Sequence, residues 1–157
     1  LTLMQQTLAG LIDSRQREGA VMQQVLADKL TTLTAITQSI RQDVPAINQY
    51  LYDKLQQRLA DLDIDTQPER FEQELALQLQ KIDIAEELDR LNAHILEFER
   101  VLELDEPVGR RMDFLMQELN REANTIASKS AASSTSKAGV ELKVVIEQMR
   151  EQIQNIE

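Results

Sequence analysis

The single histidine, His94, closes a regular series in which Asp83, Glu87, Arg90 and His94 follow at steps of four, three and four. That spacing puts all four on one side of a helix. Histidine is the side chain whose unperturbed pKa lies near neutrality, so it suits proton transfer or metal ligation. Glu87 and His94 are about 10.5 Å apart along a helix axis at 1.5 Å per residue. They cannot share one metal unless another element adds ligands. A hydrogen-bonded structural histidine is the plainer alternative.

A second series carries more polar groups than a plain bundle requires. Arg110, Asp113, Gln117, Asn120, Arg121 and Asn124 form one stripe, flanked by Glu118 and Glu122 and bracketed by Arg111 and Lys129. Surface helices are more often filled with Lys, Glu and Ala, which favour helix more than Asn and Asp do. The stripe therefore suggests a recognition face that grips a polyanion, or a buried polar network. An inter-subunit salt-bridge lattice is the structural alternative. No HExxH, Gly-rich phosphate loop or Ser-His-Asp order occurs, so zincin proteases, Walker-type ATPases and serine hydrolases have no support. The alternating aspartates of Asp61-Leu62-Asp63-Ile64-Asp65-Thr66-Gln67-Pro68 lack the central Gly and closing Glu of a calcium loop. A turn with helix capping, Pro68 standing near the first helical position, accounts for them.

The composition narrows the classes further. The chain has 157 residues and a net charge of −10, against the usual basic nucleic-acid binder. The acidity is concentrated, with residues 69–106 carrying 12 acidic and 4 basic groups. Residues 107–130 carry 4 basic and 3 acidic groups, a locally positive region that can face phosphate despite the global sign. The acidic surplus otherwise reads as a solvated helix face. With no cysteine, a disulfide framework, a thiolate zinc site and a cysteine nucleophile are excluded. Aromatic residues make up 3%, too few for a stacking platform of the usual single-strand-binding kind. No apolar run approaches the ~20 residues of a membrane span, and no signal peptide opens the chain. Leu1 opens without a cap on an already periodic stretch, so it is read as the interior of a longer protein, and Glu157 as its carboxyl end.

Helical elements must position these groups. From Leu26 the apolar residues Leu30, Leu33, Ile36, Ile40, Val44, Ile47, Leu51, Leu55, Leu59 and Leu62 follow at steps of three or four, close to heptad spacing. Pro45 lies inside this run, which leaves a kinked continuous helix or two helices with a break near Asp43. Phe71, Leu75, Leu79, Ile82, Ala85, Leu88, Leu91, Ile95, Phe98 and Leu102 form a second stripe. The two stripes bury each other by folding back. The predicted fold is all-α: a long antiparallel helical hairpin over 1–104, then two shorter helices over 105–157 that complete a bundle. Helices are predicted over 107–127 and 140–156, with a mobile Ser-rich loop at 128–139 between them.

Three blocks add a resemblance. They are Lys81-Ile-Asp-Ile-Ala-Glu-Glu-Leu-Asp-Arg-Leu-Asn-Ala-His94, Val108-Gly-Arg-Arg-Met-Asp-Phe-Leu-Met-Gln-Glu-Leu-Asn-Arg-Glu-Ala-Asn-Thr-Ile-Ala-Ser-Lys-Ser130, and the stretch from Val140 to Glu157. Together they span 81–157, about half the chain, and their order closely resembles the carboxy-terminal part of the bacterial YicC family. Arg17-Glu18-Gly19 is a weaker match. The resemblance implies a stress-associated, metal-dependent endoribonuclease acting on single-stranded or hairpin RNA, about twice as long as this chain and assembled as a homo-hexamer. It also implies a cytoplasmic protein, with no membrane partner. One departure is visible: relatives usually carry an acidic residue after the Ser-Lys-Ser step, and Ala131 to Gly139 holds none.

The motif match and the polar stripe together suggest roles. Glu118, Glu122 and Asp113 are the candidate ligands for Mn²⁺ or Mg²⁺, with Glu118 and Glu122, one turn apart, best placed to share an ion. His94 is the candidate proton carrier, beside Glu118 and Glu122 as catalytic groups. Arg110, Arg111, Asn120, Arg121, Asn124, Lys129, Lys143 and Arg150 are the candidate RNA-binding residues. The alternative function is a non-catalytic oligomerisation scaffold for a catalytic amino-terminal half. The isolated piece is not expected to cut RNA.

Overall fold

The computed structural model describes residues 2–61, 68–129 and 133–154. Every element among them is helical: α1 (Thr2–Asp61), α2 (Pro68–Ile82), α3 (Ala85–Leu102), α4 (Gly109–Lys129) and α5 (Ser133–Ile153). The 60 residues of α1 extend about 90 Å at 1.5 Å per residue. Pro45 does not end the helix. It sits at an exposed turn, where a carbonyl that has lost its partner can be hydrated.

The middle of α1, α3, α4 and α5 form a four-helix bundle. Its core is built from Leu26, Leu30, Leu33 and Ile40 of α1, Leu88, Leu91, Ile95 and Phe98 of α3, Leu115, Leu119 and Ile126 of α4, and Leu142, Ile146 and Met149 of α5. Helix α1 packs on α3 and α5, and α4 packs on the same two from the other side. The cross-helix bonds fix the directions. Gln23 donates to the Leu102 carbonyl at 2.9 Å and Arg41 to Asp89 at 2.7 Å, so α1 and α3 are antiparallel. Lys29 reaches Gln148 at 2.6 Å from α1 to α5. The bundle runs up-down-up-down, and the apolar periodicity places its core as expected.

Two sequence expectations need correction. The second stripe is not one helix. The chain breaks at Asp83 and Ile84, where the Asp83 carboxylate accepts the Ala85 N–H at 3.0 Å and starts α3 anew. Lys129 of α4 donates to the Asp83 carbonyl at 2.9 Å, satisfying a group that the break leaves without a helical partner. Helix α2 continues along the end of α1, with Tyr52 and Phe71 edge to face at 5.4 Å. Second, the predicted loop 128–139 is largely helical, since α4 runs through Lys129 and α5 begins at Ser133. The small residues permit close packing there: a Cβ added at Gly139 would lie 3.0 Å from the Ala127 Cβ. Most of the polar stripe of α4 faces outward. The Asp-rich turn at 62–67 lies outside the described residues.

Beyond the bundle, the start of α1 leaves Leu3, Met4, Leu8, Leu11 and Ile12 exposed. No helix of the described residues is long and apolar enough to cross a membrane.

Candidate metal centre on the α3–α4 seam

Helices α3 and α4 are antiparallel, and their apolar faces turn into the core. Along one edge of that contact the charged residues of both helices meet. Reading along α3 through 83, 87, 90, 94 and 97, the partners fall back along α4 through 129, 122, 118 and 111. At one end Lys129 binds the Glu87 carboxylate at 3.0 Å. Next, Arg90 Nε lies 3.3 Å from Glu122 Oε1, while its other nitrogens reach Glu86 at 3.3 Å and Glu87 at 3.9 Å. His94 Nε2 then lies 4.0 Å from Glu118 Oε2, and Arg121 approaches Glu118 from the solvent side at 3.8 Å. Glu97 closes the series between Arg100 and Arg111. The Arg100 guanidinium above all, with that of Arg111, holds the Glu97 carboxyl down at about 2 against an ordinary 4.5.

Burial gives this seam its chemistry. Glu87 and Glu122 are buried, an uncommon place for a carboxylate without a cation. Lys129 and Arg90 supply that positive charge, and among the described residues no buried side-chain nitrogen or oxygen lacks a partner. His94 and Glu118 are each 24% exposed, so this rung opens to solvent while Glu122 forms its floor.

His94, Glu118 and Glu122 each offer one ligand atom, and these atoms lie within 4.8 Å of one another. One histidine nitrogen and two carboxylate oxygens form a donor set suited to a divalent first-row ion, with positions left for water or substrate. Glu118 and Glu122 stand one turn apart on α4, and the antiparallel register brings His94 opposite them. The group of three has three independent anchor points on two packed helices.

The other candidate residues distribute unevenly. Asp113, also expected as a ligand, is exposed and lies outside the group of His94, Glu118 and Glu122. Its position five residues from Glu118 turns it about 140° around the helix at 3.6 residues per turn. Arg110, Asn120, Arg121 and Asn124 lie on the outward face of α4, where Asn124 donates to Asn120 at 3.3 Å. Arg111 and Lys129 are held within the seam. Lys143 and Arg150 belong to α5, away from the α3 side, and Arg150 pairs with Glu147 at 3.6 Å. The residue that the sequence did not single out as functional is Arg90, although its place in the series with Glu87 and His94 was visible.

The family described as endoribonuclease YicC-like, C-terminal, matches residues 40–157, a stretch that contains every rung of the seam. This chain belongs to that family. It is 45% identical over 157 residues to the probable endoribonuclease YicC of Haemophilus influenzae, covering 100% of this chain and 55% of that protein. It is 34% identical to the probable endoribonuclease YicC of Clostridioides difficile, covering 98% of this chain and 54% of the relative. The chain spans about half the length of these curated YicC relatives.

Proposed function

We propose that this chain supplies the metal-binding half of a metal-dependent endoribonuclease that cuts single-stranded or hairpin RNA. The reading rests on one observation: the only histidine and two glutamates of a family-matched segment converge from two helices into a solvent-open group with a buried floor.

The donor set fits a divalent cation. Mn²⁺ accepts imidazole beside carboxylate more readily than Mg²⁺, which prefers all-oxygen coordination, so Mn²⁺ is favoured of the two. A divalent ion held there supplies Lewis-acid chemistry, polarising a phosphodiester oxygen and offsetting the charge that builds on it. In this proposal His94 is a ligand, not the proton carrier expected from its type. The protein's own groups do the rest. Glu122 is fixed by the Arg90 guanidinium, and Arg90 is itself fixed by Glu86 and Glu87. Arg121 stands at the solvent edge of Glu118, where it can bind a phosphate entering the rung. Arg110, Asn120 and Asn124 extend the polar surface along α4 and can carry the strand beyond the scissile group.

Whole-protein activity, homo-hexameric assembly and a place in the stress response are proposals for the longer protein. The test is cleavage of a hairpin RNA by the full-length protein, with and without chelator. Cleavage in Mn²⁺ that stops with chelator supports the reading, and metal-independent cleavage removes it. The exposed apolar start of α1 favours a second reading, in which this half is an assembly scaffold. Under that reading the chain self-associates but shows no salt-sensitive RNA affinity.

A further inference from the structure

Of the phenylalanines, Phe98 is fully buried and Phe71 packs against Tyr52, but Phe114 is 56% exposed on the outward face of α4. Every other exposed residue of α4 is polar or charged. Along α4 the ring therefore stands as a single exposed apolar side chain among polar ones, not as part of an apolar stripe of that helix. Its neighbours on the helix are specific. Arg110 lies one turn before it, Glu118 one turn after it, and Arg121 two turns after it. Residues one turn apart stand about 6 Å from each other at their β-carbons. Phe114 thus lies beside the open rung of His94 and Glu118, between two exposed guanidinium groups.

We propose that Phe114 is the base-stacking residue of this site, taking the face of one unpaired RNA base while Arg110 and Arg121 hold the phosphates on either side. The inference rests on the nuclease reading and adds to it the element that selects single-stranded over paired RNA. An aromatic face accepts any base once that base is out of its own stack. A phosphate gripped by Arg121 then lies against the carboxylate of Glu118. The ring is a positioning residue in this account, since it touches the substrate away from the reacting atoms.

The test uses the full-length protein with Phe114→Ala, Phe114→Leu and Phe114→Tyr. Affinity for a short single-stranded oligoribonucleotide is measured by fluorescence anisotropy in chelator, so that nothing is cut, over a series of salt concentrations. Mn²⁺ affinity is measured separately by calorimetry. Phe114→Ala and Phe114→Leu are expected to bind about tenfold more weakly, and Phe114→Tyr like wild type. The salt slope should stay the same in all three, because no phosphate contact is removed. Mn²⁺ affinity should also be unchanged. An oligomer with one abasic position should erase part of the difference between wild type and Phe114→Ala. Wild-type affinity in Phe114→Leu overturns the inference. So does a change of assembly state in Phe114→Ala with RNA affinity intact, which would make the ring a protein contact. Wild-type protein that neither binds RNA in chelator nor cuts it in Mn²⁺ overturns the nuclease reading and this inference with it, whereas metal-dependent cleavage that is indifferent to Phe114 overturns this inference alone.

Discussion

Arg90 Nε lies 3.3 Å from Glu122 Oε1 across the seam between α3 and α4, so the most buried candidate ligand of the metal group is already paired with a cation. This pairing gives a carboxylate on the edge of an apolar core a cation to offset its burial. It also places a fixed positive charge next to the proposed ion.

Removing that cation should have two readouts. Arg90→Gln leaves Glu122 buried with a weaker partner, and should lower stability at neutral pH by about 1–3 kcal/mol. Mn²⁺ should then raise the melting temperature more in the variant than in wild type, because the ion takes over the missing charge. Thermal melts of both proteins, each with and without Mn²⁺, check this. An equal Mn²⁺ shift in the two proteins would separate Arg90 from the metal group.

The close approach of α4 and α5 at Gly139 gives a packing prediction. A methyl group there would meet the Ala127 Cβ at 3.0 Å and its Cα at 3.1 Å. Gly139→Ala should therefore destabilise the bundle by about 1–3 kcal/mol, despite alanine's better helix propensity. Adding Ala127→Gly should recover part of the loss in urea unfolding. A more stable Gly139→Ala single variant would mean that the two helices can shift apart freely.

In the bundle core, Phe98 is completely buried among residues of the four packed helices. Phe98→Ala should cost about 3–5 kcal/mol, the range for large-to-small changes of a buried aromatic. Denaturant unfolding monitored by circular dichroism measures it. A loss under 1 kcal/mol would place Phe98 at a site that collapses without penalty.

Glu97 carries the pH dependence. Its carboxyl is held at about 2, so its stabilising contribution is present above the ordinary 4.5 and is lost as pH falls through about 2. Between those values the unfolded chain binds more protons than the folded one, and stability rises with pH. Glu97→Gln should flatten this part of the acid-unfolding curve and leave stability above pH 5 less dependent on Arg100. An unchanged slope between pH 4.5 and 2 contradicts the assignment.

The bundle was legible in the sequence because apolar spacing reports helix faces directly. Leu26, Leu30 and Leu33 on one helix, and Leu88, Leu91 and Ile95 on another, lie where their spacing put them. The break after α2 was not legible. Ile82, Ala85 and Leu88 keep the helical phase across it, and what marks the break is Lys129, brought in from 46 residues away. The Ser-rich segment misled for a related reason. Small residues look like loop until a neighbouring helix requires them, as Ala127 does at Gly139. At the site, residue type pointed to His94, Glu118 and Glu122, but only the antiparallel register of α3 and α4 could set them in one group. Asp113 shares a helix with two of them, and helical geometry alone turns it away.

The most direct measurement of the central claim is Mn²⁺ binding by calorimetry paired with RNA cleavage, on full-length protein carrying His94→Ala or Glu122→Gln. The account predicts that both variants keep the wild-type circular dichroism spectrum, lose at least about tenfold in Mn²⁺ affinity, and lose metal-dependent cleavage with it. Wild-type Mn²⁺ affinity and cleavage in both variants would contradict a metal centre at this seam.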